Sequence, residues 1–166
     1  IVSYTGNWDD SAKGKELALV QYNAGADVVF QLASNAGVGV FEAAKETGNL
    51  AIGSDTDQSL IFAESDPDKA ATILTSSLKR VDTSLLRAYE LYKSGEVPYG
   101  TCERLGLDKE CVGIVENDNY LAHVDEESAA AIAQAKQDII DGKITVSSAY
   151  GMTTEELSEF KAQYIK

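Results

Sequence analysis

The chain has 166 residues, enough for one α/β domain with a sizeable core, and no stretch approaches the roughly 20 apolar residues of a membrane-spanning helix. Its 27 acidic and 14 basic side chains give a formal net charge of -13, spread along the chain without a block of one sign. That balance excludes a phosphate-backbone partner, whose binding needs basic surface, so no nucleic acid is expected.

Residues 1–4 read as a strand, and because the chain opens inside it without an initiator Met, further sequence is expected upstream. A helix follows over about 10–24, with Leu17, Val20 and Ala24 on one face and Gly25 placed to end it. Residues 27–34 are β-branched and nearly continuous in apolar character, the pattern of a buried parallel strand. A second helix over about 36–47 stops at Gly48, and 50–54 is the third strand. The acidic segment 55–70 reads as a loop or short helix before a fourth strand at 72–76. From Leu78 a helix runs to Ser94, with Leu78, Val81, Leu85, Ala88 and Tyr92 on one stripe. Another spans about 125–141, with Ser128, Ile132, Ala135 and Ile139 inward, before a strand-like 143–148. The last helix opens on a capping box, Thr153 with Glu156, and turns Leu157, Phe160 and Tyr164 inward.

Alternating strands and helices predict an α/β fold with a mostly parallel sheet covered by helices on both faces. In such sheets ligands bind beyond the carboxyl ends of the strands, which directs attention to the strand exits. The exits 6-GNWDD-10, 33-ASNAGVG-39, 53-GSDTDQ-58 and 75-TSSLK-79 supply one aromatic face, a Gly-rich turn, two carboxylates and an ammonium. Trp8, the only tryptophan, is larger than a helix-launching turn requires, so it stacks on a flat ligand or packs in the core. The turn 34-SNAGVG-39 lacks the full dinucleotide spacing; it either offers backbone N–H groups to a ligand or is small for the sake of packing. Asp55 and Asp57 read as a metal pair, an acid/base pair or acceptors for ligand hydroxyls, and the last is geometrically simplest. Lys79, placed just past the strand in the first turn of a helix, meets an unfavourable dipole there and is either a ligand contact or a solvated side chain.

Cys102 and Cys111 flank a polar turn between two β-like pieces, 100–105 and 111–116, so they face each other across a hairpin and close a disulfide if the chain is exported, or remain two ordinary thiols. With one histidine, His123, in a polar connection, no zinc site and no nucleophile–base pair can be built. No metal, cofactor or catalytic residue is expected.

Five stretches, AKGKELA at 12–18, ADVVFQLASNAGVGVFEAAKE at 26–46, AIGSDTDQS at 51–59, LTSSLKRVD at 74–82 and DIIDGKITV at 138–146, resemble the basic membrane protein (BMP) or PnrA-like family of ABC-transporter substrate-binding lipoproteins. The resemblance covers residues 2 to about 146 and only the second half of the family pattern. It implies a Rossmann-like lobe of a type I periplasmic binding protein, outside the cytoplasm as a cell-surface lipoprotein or in the periplasm. The membrane would be reached only through a lipid anchor beyond this chain. It implies a purine nucleoside or similar ligand and an ABC permease as partners, together with an N-terminal lobe not present here. Carried over position by position, the ribose-binding acid falls on Asp55, less readily on Asp57; the lysine falls on Lys79 and the stacking aromatic on Trp8. The small-residue turn falls on Ser34, Asn35, Ala36 and Gly37, and Phe30 matches an aromatic near it. Asn35 and Ala36 depart from the family turn, and the Cys102–Cys111 piece is no part of its pattern. Residues 1–76 are then expected to form the lobe core, with 77–166 belonging in part to the absent lobe or packing on it. Against this binding module stand a sugar or autoinducer receptor of the same superfamily and a small nucleoside-processing enzyme using Asp55 and Asp57.

Overall fold

A computed structural model describes residues 1–163. Four strands form one sheet: β1 (Val28–Phe30), β2 (Leu50–Asp55), β3 (Ile73–Lys79) and β4 (Val112–Ile114), in that spatial order. β1, β2 and β3 run parallel, and β4 returns antiparallel to β3, pairing Val112 with Lys79. Parallel neighbours need crossovers. Helix α1 (Ser11–Asn23) precedes β1, α2 (Val38–Thr47) joins β1 to β2, and the short α3 (Gln58–Phe62) and α4 (Pro67–Ala71) join β2 to β3. Four helices follow: α5 (Val81–Ser94), α6 (Asp118–His123), α7 (Glu126–Ile140) and α8 (Thr154–Ala162).

Side-chain caps fix the helix starts. The carboxylates of Asp10, Asp57, Asp66 and Asp125 accept from backbone N–H groups in the first turns of α1, α3, α4 and α7, and the Thr153–Glu156 capping box forms at α8. The main core lies among α1, α2 and the sheet: Ala18, Tyr22, Val29, Val40, Phe41, Ala43, Ala44, Ala51 and Ile73. α1 packs so closely on α2 and the turn before it that a Cβ at Gly39 would collide with the Ser11 carbonyl, and one at Gly14 with the carbonyl of Ala36 in that turn. Glycine is required at both contacts.

Several expectations are corrected. Residues 1–4 form no strand; their tie to the fold is a bond from Gln21 Nε2 to Ser3 Oγ, and β1 keeps a free edge. β1 is shorter than 27–34: its pairing with β2 ends at Phe30 opposite Ile52, and the chain then turns through Ser34, whose φ is 53°. α1 buries Gly14, Ala18, Gln21 and Tyr22 and leaves Val20 exposed, since the close crossing selects the small-residue face over the Leu17–Val20 face. β3 runs on to Lys79, so that lysine ends a strand and does not begin a helix.

The cysteine hairpin is absent. Residues 100–105 form no strand, and β4 pairs with β3, placing Cys111 in the interior while Cys102 stays exposed; both are free thiols. The strand expected at 143–148 is irregular and exposed, having no ladder to join. α5 and α7 bury no residue, so Val81, Leu85, Ala88, Tyr92, Ser128, Ile132 and Ala135 of the expected inward stripes are exposed, while Ile139 and Leu78, the latter in β3, are half-buried; Tyr164 lies outside the described residues.

Candidate ligand-binding site

Because β1, β2 and β3 are parallel, their carboxyl ends lie along one edge of the sheet. The β1 exit carries the turn Ser34–Gly37, the β2 exit carries Asp55, and β3 ends on Lys79. The loop before α1 joins them through the Ala36 N–H, which donates to the Trp8 carbonyl at 2.9 Å. Asn35 Nδ2 reaches Asp9 Oδ1 at 3.5 Å. Asn7 shapes this loop as an Asx turn: its Oδ1 accepts from the N–H groups of Asp9 at 3.1 Å and Asp10 at 2.8 Å. The backbone of Trp8 is therefore held while its side chain, 66% exposed, stays outside the core.

Lys79 Nζ lies 3.0 Å from Asp55 Oδ1, and the two side chains are 65% and 61% exposed. An ion pair this open contributes about 0–1 kcal/mol. It presents an acceptor and a donor side by side, free to exchange each other for a ligand. Asp55 has φ 69°, and the Thr56 N–H closes onto the Ser54 carbonyl at 2.9 Å, making a three-residue γ-turn with Asp55 at its centre. Non-glycine residues with such φ concentrate at functional sites.

Buried polar side chains support the turn from behind. Gln31 Nε2 donates to Ser54 Oγ at 3.1 Å, Gln58 Nε2 to the Ser54 carbonyl at 3.0 Å, and the Gln58 N–H to Ser76 Oγ at 3.2 Å. Gln31, Ser54 and Ser76 are buried, so their bonds form away from competing water. Gly37 leaves room for the Gln31 side chain, which a Cβ there would strike. This rear layer was missed in the sequence, although a glutamine ending the apolar run 28-VVFQ-31 was its visible trace.

Asp57 has a different environment. Its Oδ1 accepts from the N–H of Ser59 at 3.0 Å and from Ser59 Oγ at 2.6 Å, and its Oδ2 accepts from Asn117 Nδ2 at 3.1 Å. The γ-turn breaks the extended chain between the two aspartates, so alternation no longer points them the same way. Asp55 remains open and Asp57 is engaged internally.

Trp8 and Phe30 line an open cavity of about 750 Å³ together with Ile1, Val2, Tyr4 and Leu32, along the free edge of β1. Asp55, Asp57 and Lys79 do not line it. The structure thus gathers Ser34, Asn35, Asp55 and Lys79 at the strand exits, with Trp8 attached through its backbone and Phe30 on the neighbouring edge. Among the described residues no group of three His, Cys, Asp or Glu side chains is placed to hold a metal.

A mostly parallel sheet with a polar cluster along its strand exits has the layout of an α/β ligand-binding fold. The fold matches a crystal structure of an ABC transporter system solute-binding protein from Aeropyrum pernix K1, with TM-score 0.72 and 25% identity, covering 96% of this chain and 51% of that one. The chain belongs to the family described as ABC transporter substrate-binding protein PnrA-like, whose pattern matches residues 1–149. It is 36% identical over 157 residues to the ABC transporter nucleoside-binding protein BmpA of Lactococcus lactis, covering 89% of this chain and 43% of that protein. It is 34% identical over 155 residues to the CD4+ T-cell-stimulating antigen of Listeria monocytogenes, covering 87% of this chain and 42% of the relative. The chain therefore spans less than half the length of these curated relatives.

Proposed function

We propose that this chain is the ligand-binding lobe of an extracytoplasmic receptor for an ABC importer, and that its ligand is a purine nucleoside or related ribosylated compound. The observation that carries the reading is the open Asp55–Lys79 pair at the strand exits. A carboxylate with two free lone-pair directions accepts from both hydroxyls of a ribose diol, while the neighbouring ammonium donates to ring or sugar oxygens. Trp8 supplies the flat apolar face against which a base stacks. Ser34 and Asn35 edge the neighbouring β1 exit with polar groups, and Gly37 behind them makes room for Gln31. The Lactococcus relative's description as nucleoside-binding supports the ligand class.

The remaining contacts come from a second lobe, encoded by sequence outside these residues. The outward apolar faces of α5 and α7 support that arrangement. In this reading residues 1–76 are the lobe core and 77–166 partly serve the junction. The permease is the transport partner, a lipid anchor beyond this chain holds the receptor at the membrane, and binding occurs without turnover.

The test is isothermal titration of the protein as its own cells make it, with adenosine, guanosine, inosine and ribose. A nucleoside is expected to bind and to quench Trp8 fluorescence. Lys79→Ala and Asp55→Asn are each expected to weaken binding by about tenfold or more, equal to about 1.4 kcal/mol. Heat from ribose without heat from any nucleoside overturns the ligand class. Binding without Trp8 quenching removes the stacking role.

A further inference from the structure

The carboxylate of Asp55 is aimed by a backbone conformation that its own sequence does not favour, so something else must hold it. Upstream, Ser54 is fixed by Gln31 and Gln58. Downstream, the next fixed group is Asp57, whose Oδ1 is held locally by Ser59 and whose Oδ2 is held from 60 residues away by Asn117, at the start of α6. Asn117 Nδ2 donates both to Asp57 Oδ2 and to Ser59 Oγ, each at 3.1 Å. Ser59 Oγ donates in turn to Asp57 Oδ1 at 2.6 Å, closing a three-residue ring of hydrogen bonds. The far side is equally anchored: Asn119 Nδ2 donates to the carbonyls of Ala70 and Ile73 at 2.8 and 3.1 Å, and Tyr120 is buried. The Val115 N–H bonds to the Ser76 carbonyl, and Thr75 Oγ1 to the Val115 carbonyl.

We infer that Asn117 is a positioning residue for the ligand site, acting through Asp57 and Ser59 to hold the γ-turn that presents Asp55 beside Lys79. A helix cap alone does not account for it. The cap is made by Asn117 Oδ1, which accepts from the N–H groups of Asn119 and Tyr120, and aspartate or serine would cap as well. The amide donor is the part that only asparagine supplies here, and that donor points at Asp57. A segment 60 residues downstream thereby fixes the conformation of a turn whose central residue sits at φ 69°. Strained conformations persist where their surroundings over-determine them.

This inference rests on the reading of Asp55 and Lys79 as ligand contacts, and the experiment separates the two. Asn117→Asp keeps the α6 cap but removes the amide donor and sets a second carboxylate against Asp57. Titrated with the nucleoside that the wild-type protein binds best, it is expected to bind at unchanged stoichiometry with about tenfold lower affinity. Adding Lys79→Ala to it is expected to cost less affinity than the same change in the wild type, because the pair is already misaligned. Ser59→Ala leaves Asn117 and its cap intact, breaks the ring from its other member, and is expected to weaken binding in the same way. If either variant melts at lower temperature yet binds within twofold of wild type, the ring is structural only and the inference is overturned. If the wild type binds none of the tested ligands, or Lys79→Ala changes nothing, the reading of the site fails first and this inference falls with it.

Discussion

Asp55 sits where stability alone would place glycine. Its φ of 69° is tolerated better by aspartate than by most side chains, but still costs free energy. Its exposed ion pair with Lys79 offsets at most about 1 kcal/mol. Asp55→Gly should therefore raise unfolding free energy by about 0.5 kcal/mol, the strain relieved less the added entropy of the unfolded chain. The same change should abolish measurable nucleoside binding. Denaturant titration with an unchanged slope checks the first outcome and calorimetry the second; a loss of stability above about 1 kcal/mol would show that Asp55 is held for the fold. That Asp55 and Lys79 lie at neighbouring strand exits was legible in the sequence, because each is a charged residue close behind an apolar, strand-forming run, although Lys79 ends its strand and does not open a helix. The separation of Asp57 from Asp55 was not, because it depends on a turn held by Gln58 and Asn117, partners that no local pattern reveals.

At the scale of elements, the parallel strands and their crossovers were readable from alternating periodicity, while the faces of the helices were not. The packed face of α1 is defined by Gly14 and Ala18, because the backbone of the turn at Ala36, just ahead of α2, approaches Gly14 too closely for a larger group. A search for large apolar residues selects the opposite side. The segments 1–4, 100–105 and 143–148 failed as strands for a related reason: β-like composition needs a neighbouring ladder, and the sheet extends to none of them. Tyr22, near the end of α1, shows how a helix is pinned. Its hydroxyl donates to the Leu50 carbonyl at 2.8 Å, and burial pushes the phenol up to about 12. Below about pH 10 the phenol is protonated in both folded and unfolded chains, so its contribution is constant. Between about 10 and 12 the unfolded chain releases this proton and the folded one retains it, so stability falls as pH rises. Tyr22→Phe should cost about 1 kcal/mol at neutral pH through the lost hydrogen bond. It should also flatten the alkaline fall relative to wild type; parallel stability–pH curves above pH 10 would rule out the linkage.

Across the whole molecule, the main core gathers on one part of the chain. The cluster from Ala18 to Ile73 is packed, whereas α5, α7 and α8 bury no residue. On α5, Val81, Leu85, Leu86, Tyr89 and Tyr92 are all exposed, and β4 adds Val112 and Ile114. Apolar residues spaced three and four apart on a helix are the pattern of a face meant for burial, and an amphipathic helix draws most of its stability from such packing. The sequence showed Val81, Leu85 and Tyr92 of this stripe but no sign of what covers it, since a covering surface is not a property of the helix that needs it. If the stripe is a junction face, the 166-residue chain on its own should self-associate with rising concentration and bind a fluorescent apolar dye. Replacing Leu85 and Tyr89 together by lysine should suppress both effects in the isolated chain while changing its unfolding free energy by less than about 0.5 kcal/mol, because both side chains are mostly exposed and the Lys93 contact with the Tyr89 ring is itself an exposed one. In the protein as its own cells make it, the same pair should be destabilising, because the lysines would then enter a packed junction. Sedimentation of the chain and thermal melts of both forms decide it. Equal tolerance of the lysines in the two contexts would mean that the α5 stripe faces solvent in the protein as its own cells make it, and the proposed assignment of part of residues 77–166 to a junction would have to be abandoned.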